Sequence, residues 1–210
     1  MEATLKRAVA AFREAGIPFL LGGSLAIWAR GGPETRHDLD FIVKPEDAER
    51  ALEALKSQGM KREVPPEEWL YKAWDGNVLV DIIFEPSGLD VTDEVLERGD
   101  VLHVLAITVP VMGIEDVLAT KLQAMHEHAV DYSSVLEIAR AVREQVDWPA
   151  LRERTKDSPF AAAFFTLVEQ LGVVDPAEDQ EVQKPSSVRQ RGGADVRVVM
   201  PRGVSSGPTG

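Results

Sequence analysis

Two aspartates one residue apart, Asp38 and Asp40, head the apolar run Phe41-Ile42-Val43. They constrain what this chain can build more than any other feature. In an extended strand, side chains at i and i+2 share a face. The pair therefore projects side by side, roughly 7 Å apart at Cα. Two such carboxylates repel each other and favour a cation between them. Hard oxygen donors suit Mg²⁺, which keeps several waters and adds substrate phosphates. Leu39 and Phe41 point the other way and can enter a core. A solvated strand start would accommodate the acids too.

Upstream, Pro18-Phe19-Leu20-Leu21 reads as a short buried strand that runs into Gly22-Gly23-Ser24. Ser24 is expected to N-cap a helix beginning Leu25-Ala26-Ile27-Trp28. The glycines let the backbone bend and let a ligand approach closely. A helix N-terminus presents free N–H groups and the positive end of a dipole, which suits a phosphate. An ordinary strand–turn–helix would look the same, and the GxxxxGK[ST] spacing of a P-loop is absent.

A third acid lies in Asn77-Val78-Leu79-Val80-Asp81-Ile82-Ile83-Phe84. So dense an apolar run predicts a strand buried on both faces. A charge there needs a partner, which could be a metal, a structural salt bridge or a dipole. Asp75-Gly76 is a turn signal, so residues 68–84 read as a hairpin.

Taken together, Gly22-Gly23-Ser24, Asp38-x-Asp40 and the later Asp81 resemble the DNA polymerase beta-type nucleotidyltransferase superfamily. Arg36-His37-Asp38-Leu39-Asp40 resembles small bacterial members, namely AbiEii-like toxins and aminoglycoside or lincosamide nucleotidyltransferases. The resemblance spans about residues 17 to 145. It implies transfer of an NMP from an NTP to an acceptor hydroxyl, with pyrophosphate released. Asp38, Asp40 and Asp81 would hold Mg²⁺, or Mn²⁺ in its place, with Asp81 completing a second metal or acting as base. Gly22, Gly23, Ser24 and Arg36 would contact the nucleotide. The acceptor would be tRNA, a protein or a small molecule, and a toxin would have a cognate antitoxin. A relative that keeps the fold and binds NTP without turnover is the alternative.

The later helices add two candidates. Ile114, Val117, Leu118, Leu122 and Met125 form a helical stripe, and Lys121 falls inside it. Such a lysine either snorkels or meets an anion. Val135, Ile138 and Val142 form the next stripe, with Asp131 on the same face, where it could simply be an N-cap. By resemblance, Lys121 would contact NTP phosphates, and Asp131 would assist the acceptor or orient Lys121. His126 and His128 read as solvated, with no HExxH pattern present.

The expected fold is mixed α/β (α+β), a nucleotidyltransferase fold with a mixed sheet flanked by helices. A core over 1–112, a C-terminal helical subdomain over 113–174 and a disordered tail over 175–210 are expected. An amphipathic helix carries Leu5, Val9 and Phe12 on one face. A strand at 38–43 precedes a helix at 45–58, and short strands fall within 101–111. Helices follow at 114–128, 132–144 and 158–171. The tail is rich in Pro, Gly and Ser. Its five acids (Asp175, Glu178, Asp179, Glu181, Asp195) balance its five bases (Lys184, Arg189, Arg191, Arg197, Arg202). The net charge of −12 therefore belongs to residues 1–174. An acidic body disfavours non-specific nucleic-acid binding and attracts a cationic small molecule or a basic protein. With no cysteine, disulfides and thiolate metal sites are excluded, which fits a cytoplasmic protein. Nothing has membrane-spanning length.

Overall fold

The computed structural model describes residues 1–33, 38–63 and 65–176. Arg36, His37 and the tail from residue 177 onward, for which expectations are stated above, lie outside them. The first helix, α1 (Glu2–Glu14), buries Leu5, Ala8, Val9 and Phe12, the face its periodicity predicts. Strand β1 (Leu20–Leu21) leads directly into α2 (Gly23–Trp28). Strand β2 (Asp38–Ile42) is followed by a 3₁₀ turn with Pro45 at its start, then α3 (Ala48–Ser57). Next come β3 (Lys61–Glu63), β4 (Leu70–Asp75), β5 (Val78–Ile83) and the short α4 (Asp93–Glu97). Strands β6 (Asp100–Val104) and β7 (Ile107–Val111) precede α5 (Ile114–Gln123). Helices α6 (Tyr132–Val142), α7 (Trp148–Arg154) and α8 (Pro159–Gln170) complete the described chain.

The seven strands form one mixed sheet, ordered β3-β4-β5-β2-β1-β7-β6. β2 runs parallel to β5 and antiparallel to β1, and β1 runs parallel to β7. The other pairings are hairpins or hairpin-like antiparallel contacts. On one face of the sheet, Leu39, Phe41, Val80, Ile82 and Ala73 are buried. Phe12, Phe19 and Phe41 meet there at ring-centroid separations of 5.0 to 5.5 Å, in tilted and edge-on arrangements that suit aromatic quadrupoles. Helices α1 and α3 pack together over this layer, and α2 packs on β2 and on α5. Helix α5 in turn packs on α6, α7 and α8.

Three expectations need correction. Gly22, not Ser24, is the N-cap of α2, and no side chain caps that helix. The glycine already has the extended conformation a cap needs, so the helix starts two residues earlier than expected. β5 is buried on one face only: Val80 and Ile82 are covered, while Leu79, Asp81 and Ile83 are half-exposed. That half-exposed face carries Asp81 between two apolar residues, Leu79 and Ile83. α5 stops at Gln123 rather than reaching 128. His126 and Ala129 form a small backbone bridge instead, which leaves His126 and His128 exposed as expected.

Candidate active site

The strand register brings the three acids to one face of the sheet. Asp40 on β2 is the direct partner of Asp81 on the adjacent parallel strand β5. Adjacent strands lie roughly 4.8 Å apart. Asp38 is two residues from Asp40 and shares its face. All three are half-buried at the surface of the open face.

The glycine turn sits directly against this cluster. The Gly22 N–H donates to the Asp40 carbonyl at 2.8 Å, which extends the β1–β2 ladder into the turn. Gly23 has φ +55°, and a Cβ built there would overlap the Asp40 carboxylate. Only glycine lets the first turn of α2 approach the acid so closely. The chain here places helix N–H groups and a carboxylate within contact of one another.

The electrostatics follow from that crowding. The Asp40 carboxyl is pushed up to about 6, first by burial and then by the neighbouring charges of Asp81 and Asp38. Lys121 on α5 and the Ser24 backbone N–H pull in the opposite direction. Lys121 therefore lies within electrostatic reach of the acid pair, from a half-buried position on α5. Asp81 is also raised, chiefly by burial, against the lowering pull of Lys72. Carboxylates raised first by burial and then by one another's charge are a natural seat for a cation.

Lys72 is the residue that sequence reasoning missed. Its Nζ lies 3.2 Å from Asp81 Oδ1. The signal was present in the hairpin: Asp75 pairs with Val78 across the turn, so Lys72 must fall opposite Asp81. Among the described residues, no group of three or more His, Asp or Glu side chains is already arranged to hold a metal. The three acids share a face, but Asp81 is turned toward the lysine.

Asp131 lies elsewhere in kind. It is exposed and caps α6, accepting a hydrogen bond from the Ser134 N–H at 3.1 Å. That bond gives the residue a structural reason of its own. A second unforeseen residue, Asp116 on α5, is buried and held by Arg98 from after α4 and Arg154 from α7, at 2.6 to 2.9 Å. It ties α5 to α7 and to the segment after α4.

The comparisons agree with this geometry at the level of family and fold. Residues 1–171 match a family described as uncharacterised nucleotidyltransferase. No curated protein matches the sequence. The solution structure of the antibiotic-resistance factor ANT(2'')-Ia is similar over 81% of this chain and 94% of its own, at 17% identity and TM-score 0.54. A crystal structure of ANT(2'')-Ia in complex with adenylyl-2''-tobramycin is similar over 76% and 96%, at 14% identity and TM-score 0.56. The lincomycin-bound lincosamide antibiotic adenylyltransferase LnuA aligns over 66% and 94%, at 15% identity and TM-score 0.45. The two ANT(2'')-Ia likenesses speak for a shared nucleotidyltransferase fold.

Proposed function

The chain belongs to that uncharacterised nucleotidyltransferase family, and from this premise we propose that it moves an NMP from an NTP to an acceptor hydroxyl, releasing pyrophosphate. The observation that carries the reading is the pairing of Asp40 with Asp81, on the face of Asp38, beneath a turn whose Gly23 touches Asp40. The donor set is all carboxylate oxygen, which fits Mg²⁺ or Mn²⁺. Asp38 and Asp40 would hold the cation, with Asp81 joining them once free of Lys72. Such a cation supplies charge neutralisation and polarises phosphoryl oxygens.

The chain's own groups do the rest. The N–H groups at the start of α2 bind phosphate oxygens, and Gly22 and Gly23 leave room for them. Lys121 adds a positive charge on the triphosphate side. The acceptor oxygen attacks the α-phosphorus, the bond to the β-phosphate oxygen breaks, and pyrophosphate departs. Asp81 takes the acceptor's proton when it is not engaged as a ligand, a task its raised affinity for protons suits. Most of the rate advantage comes from position and charge. Asp131 assisting the acceptor, and Arg36 touching phosphate, belong to this reading as expectations of the resemblance. So does a helical subdomain over 113–174, supported by the packing of α5 on α6, α7 and α8.

A cationic small molecule is the acceptor class the net charge of −12 favours. One observation favours a second reading, an NTP-binding module without turnover: Lys72 occupies Asp81. A panel of α-labelled NTPs with extracted tRNA, cell protein and aminoglycosides separates the two. Label on any acceptor, lost in Asp40→Ala, supports transfer; label on tRNA is the outcome that favours a toxin with a cognate antitoxin. NTP binding with no labelled product from any acceptor supports the module.

A further inference from the structure

We propose that Lys72 is a positioning residue that holds Asp81 in place of a divalent cation, so that the cation loads together with the NTP rather than alone. The proposal rests on the cation-assisted reading given above. It starts from register. Lys72 is the cross-strand partner of Asp81 on one side, and Asp40 is its partner on the other. Asp81 thus sits between an ammonium and a carboxylate on a single face. The Lys72 and Asp81 side chains are only 22% and 13% exposed, so solvent screens the pair weakly. A cation drawn to Asp38, Asp40 and Asp81 would stand beside that ammonium. The two positive charges repel, and they compete for one carboxylate.

Lys72 has somewhere to go. Glu63 is its register partner on β3, and Glu63 also acts on the Asp81 carboxyl. Glu63 is itself held by the Trp74 Nε1–H, at 2.6 Å. A lysine stem between two acids, on neighbouring strands of one face, can leave Asp81 for Glu63 without crossing the sheet. A free cation must make that displacement with three carboxylates alone. A cation arriving on an NTP brings the additional contacts of the triphosphate with the Gly22-Gly23-Ser24 turn and Lys121.

The test needs no acceptor. Melting temperature is measured in EDTA and in excess Mn²⁺, without nucleotide, for wild type, Lys72→Met, Lys72→Gln, Lys72→Arg, and Lys72→Met combined with Asp81→Asn or Asp40→Asn. Lys72→Gln guards against misfolding, since its amide keeps a hydrogen bond to Asp81. The expected result is that Lys72→Met melts below wild type in EDTA but gains a several-fold larger upward shift from Mn²⁺. That gain disappears with Asp81→Asn, and Lys72→Arg behaves as wild type. Equal Mn²⁺ shifts in wild type, Lys72→Met and Lys72→Gln would make the pair purely structural and overturn the proposal, leaving the site reading intact. A gain that survives Asp40→Asn would put the cation elsewhere and overturn both.

Discussion

At the scale of single residues, the contact between Gly23 and Asp40 is the tightest constraint in the site. Gly23→Ala meets two penalties, a left-handed backbone and a Cβ inside the Asp40 carboxylate. It should cost on the order of 1–3 kcal/mol in denaturant unfolding and remove NTP binding, read by equilibrium titration. Near-wild-type stability and binding would contradict the close approach. Asp40 also sets a pH dependence. Its folded value of about 6 lies above the ordinary 3.8. Between those values the folded state keeps a proton that the unfolded chain has lost. The resulting stability is complete below the lower value and gone above the upper one. In EDTA, Asp40→Asn should therefore become more stable than wild type as pH rises through that window, by on the order of 1–3 kcal/mol. Urea unfolding at both ends of the window measures it; a constant difference would contradict it. Lys121→Ala should weaken NTP binding by about ten-fold or more, the usual loss of a charge-assisted contact; unchanged affinity would place that lysine outside the site.

At the scale of elements, legibility followed local chemistry. The β4–β5 hairpin was readable because Asp75-Gly76 marks a turn between two β-rich runs, and its register then fixes Lys72 opposite Asp81. β3 was not readable: Lys61-Arg62-Glu63 is exposed and charged throughout, the composition of an edge strand rather than an alternating one. α4 escaped because five residues are too few for a period, although Thr92 caps it through the Val95 N–H. Asp116 escaped for the opposite reason. It lies across α5 from the apolar stripe, where a polar residue signals solvent, yet α7 and the segment after α4 cover that side too. Its carboxylate is buried, whereas Arg98 and Arg154 are 46% and 33% exposed, so the arginines satisfy a buried acid and stay solvated themselves. Asp116→Ala loses the charge-assisted hydrogen bonds but leaves the arginines solvated, and should destabilise the protein by about 1.5–3 kcal/mol, measured by denaturant unfolding. A loss under about 1 kcal/mol would mean solvent reaches the cluster.

At the scale of the whole molecule, the strand order does what the sequence alone could only suggest. Asp38 and Asp40 announce a carboxylate pair locally, but about forty residues separate them from Asp81. Only the parallel pairing of β2 with β5 makes the three neighbours. The acceptor side is less legible, because net charge is a property of the entire surface and names a class of ligand at best. Among the described residues no helix is long and apolar enough to cross a membrane. The most direct measurement is a structure with Mg²⁺ and a non-hydrolysable NTP bound. The account predicts phosphates at Gly22-Gly23-Ser24, a cation on Asp38 and Asp40, and Asp81 turned from Lys72 toward it. A nucleotide bound away from that turn, with the Lys72–Asp81 pair intact and no cation on Asp38 or Asp40, would contradict it.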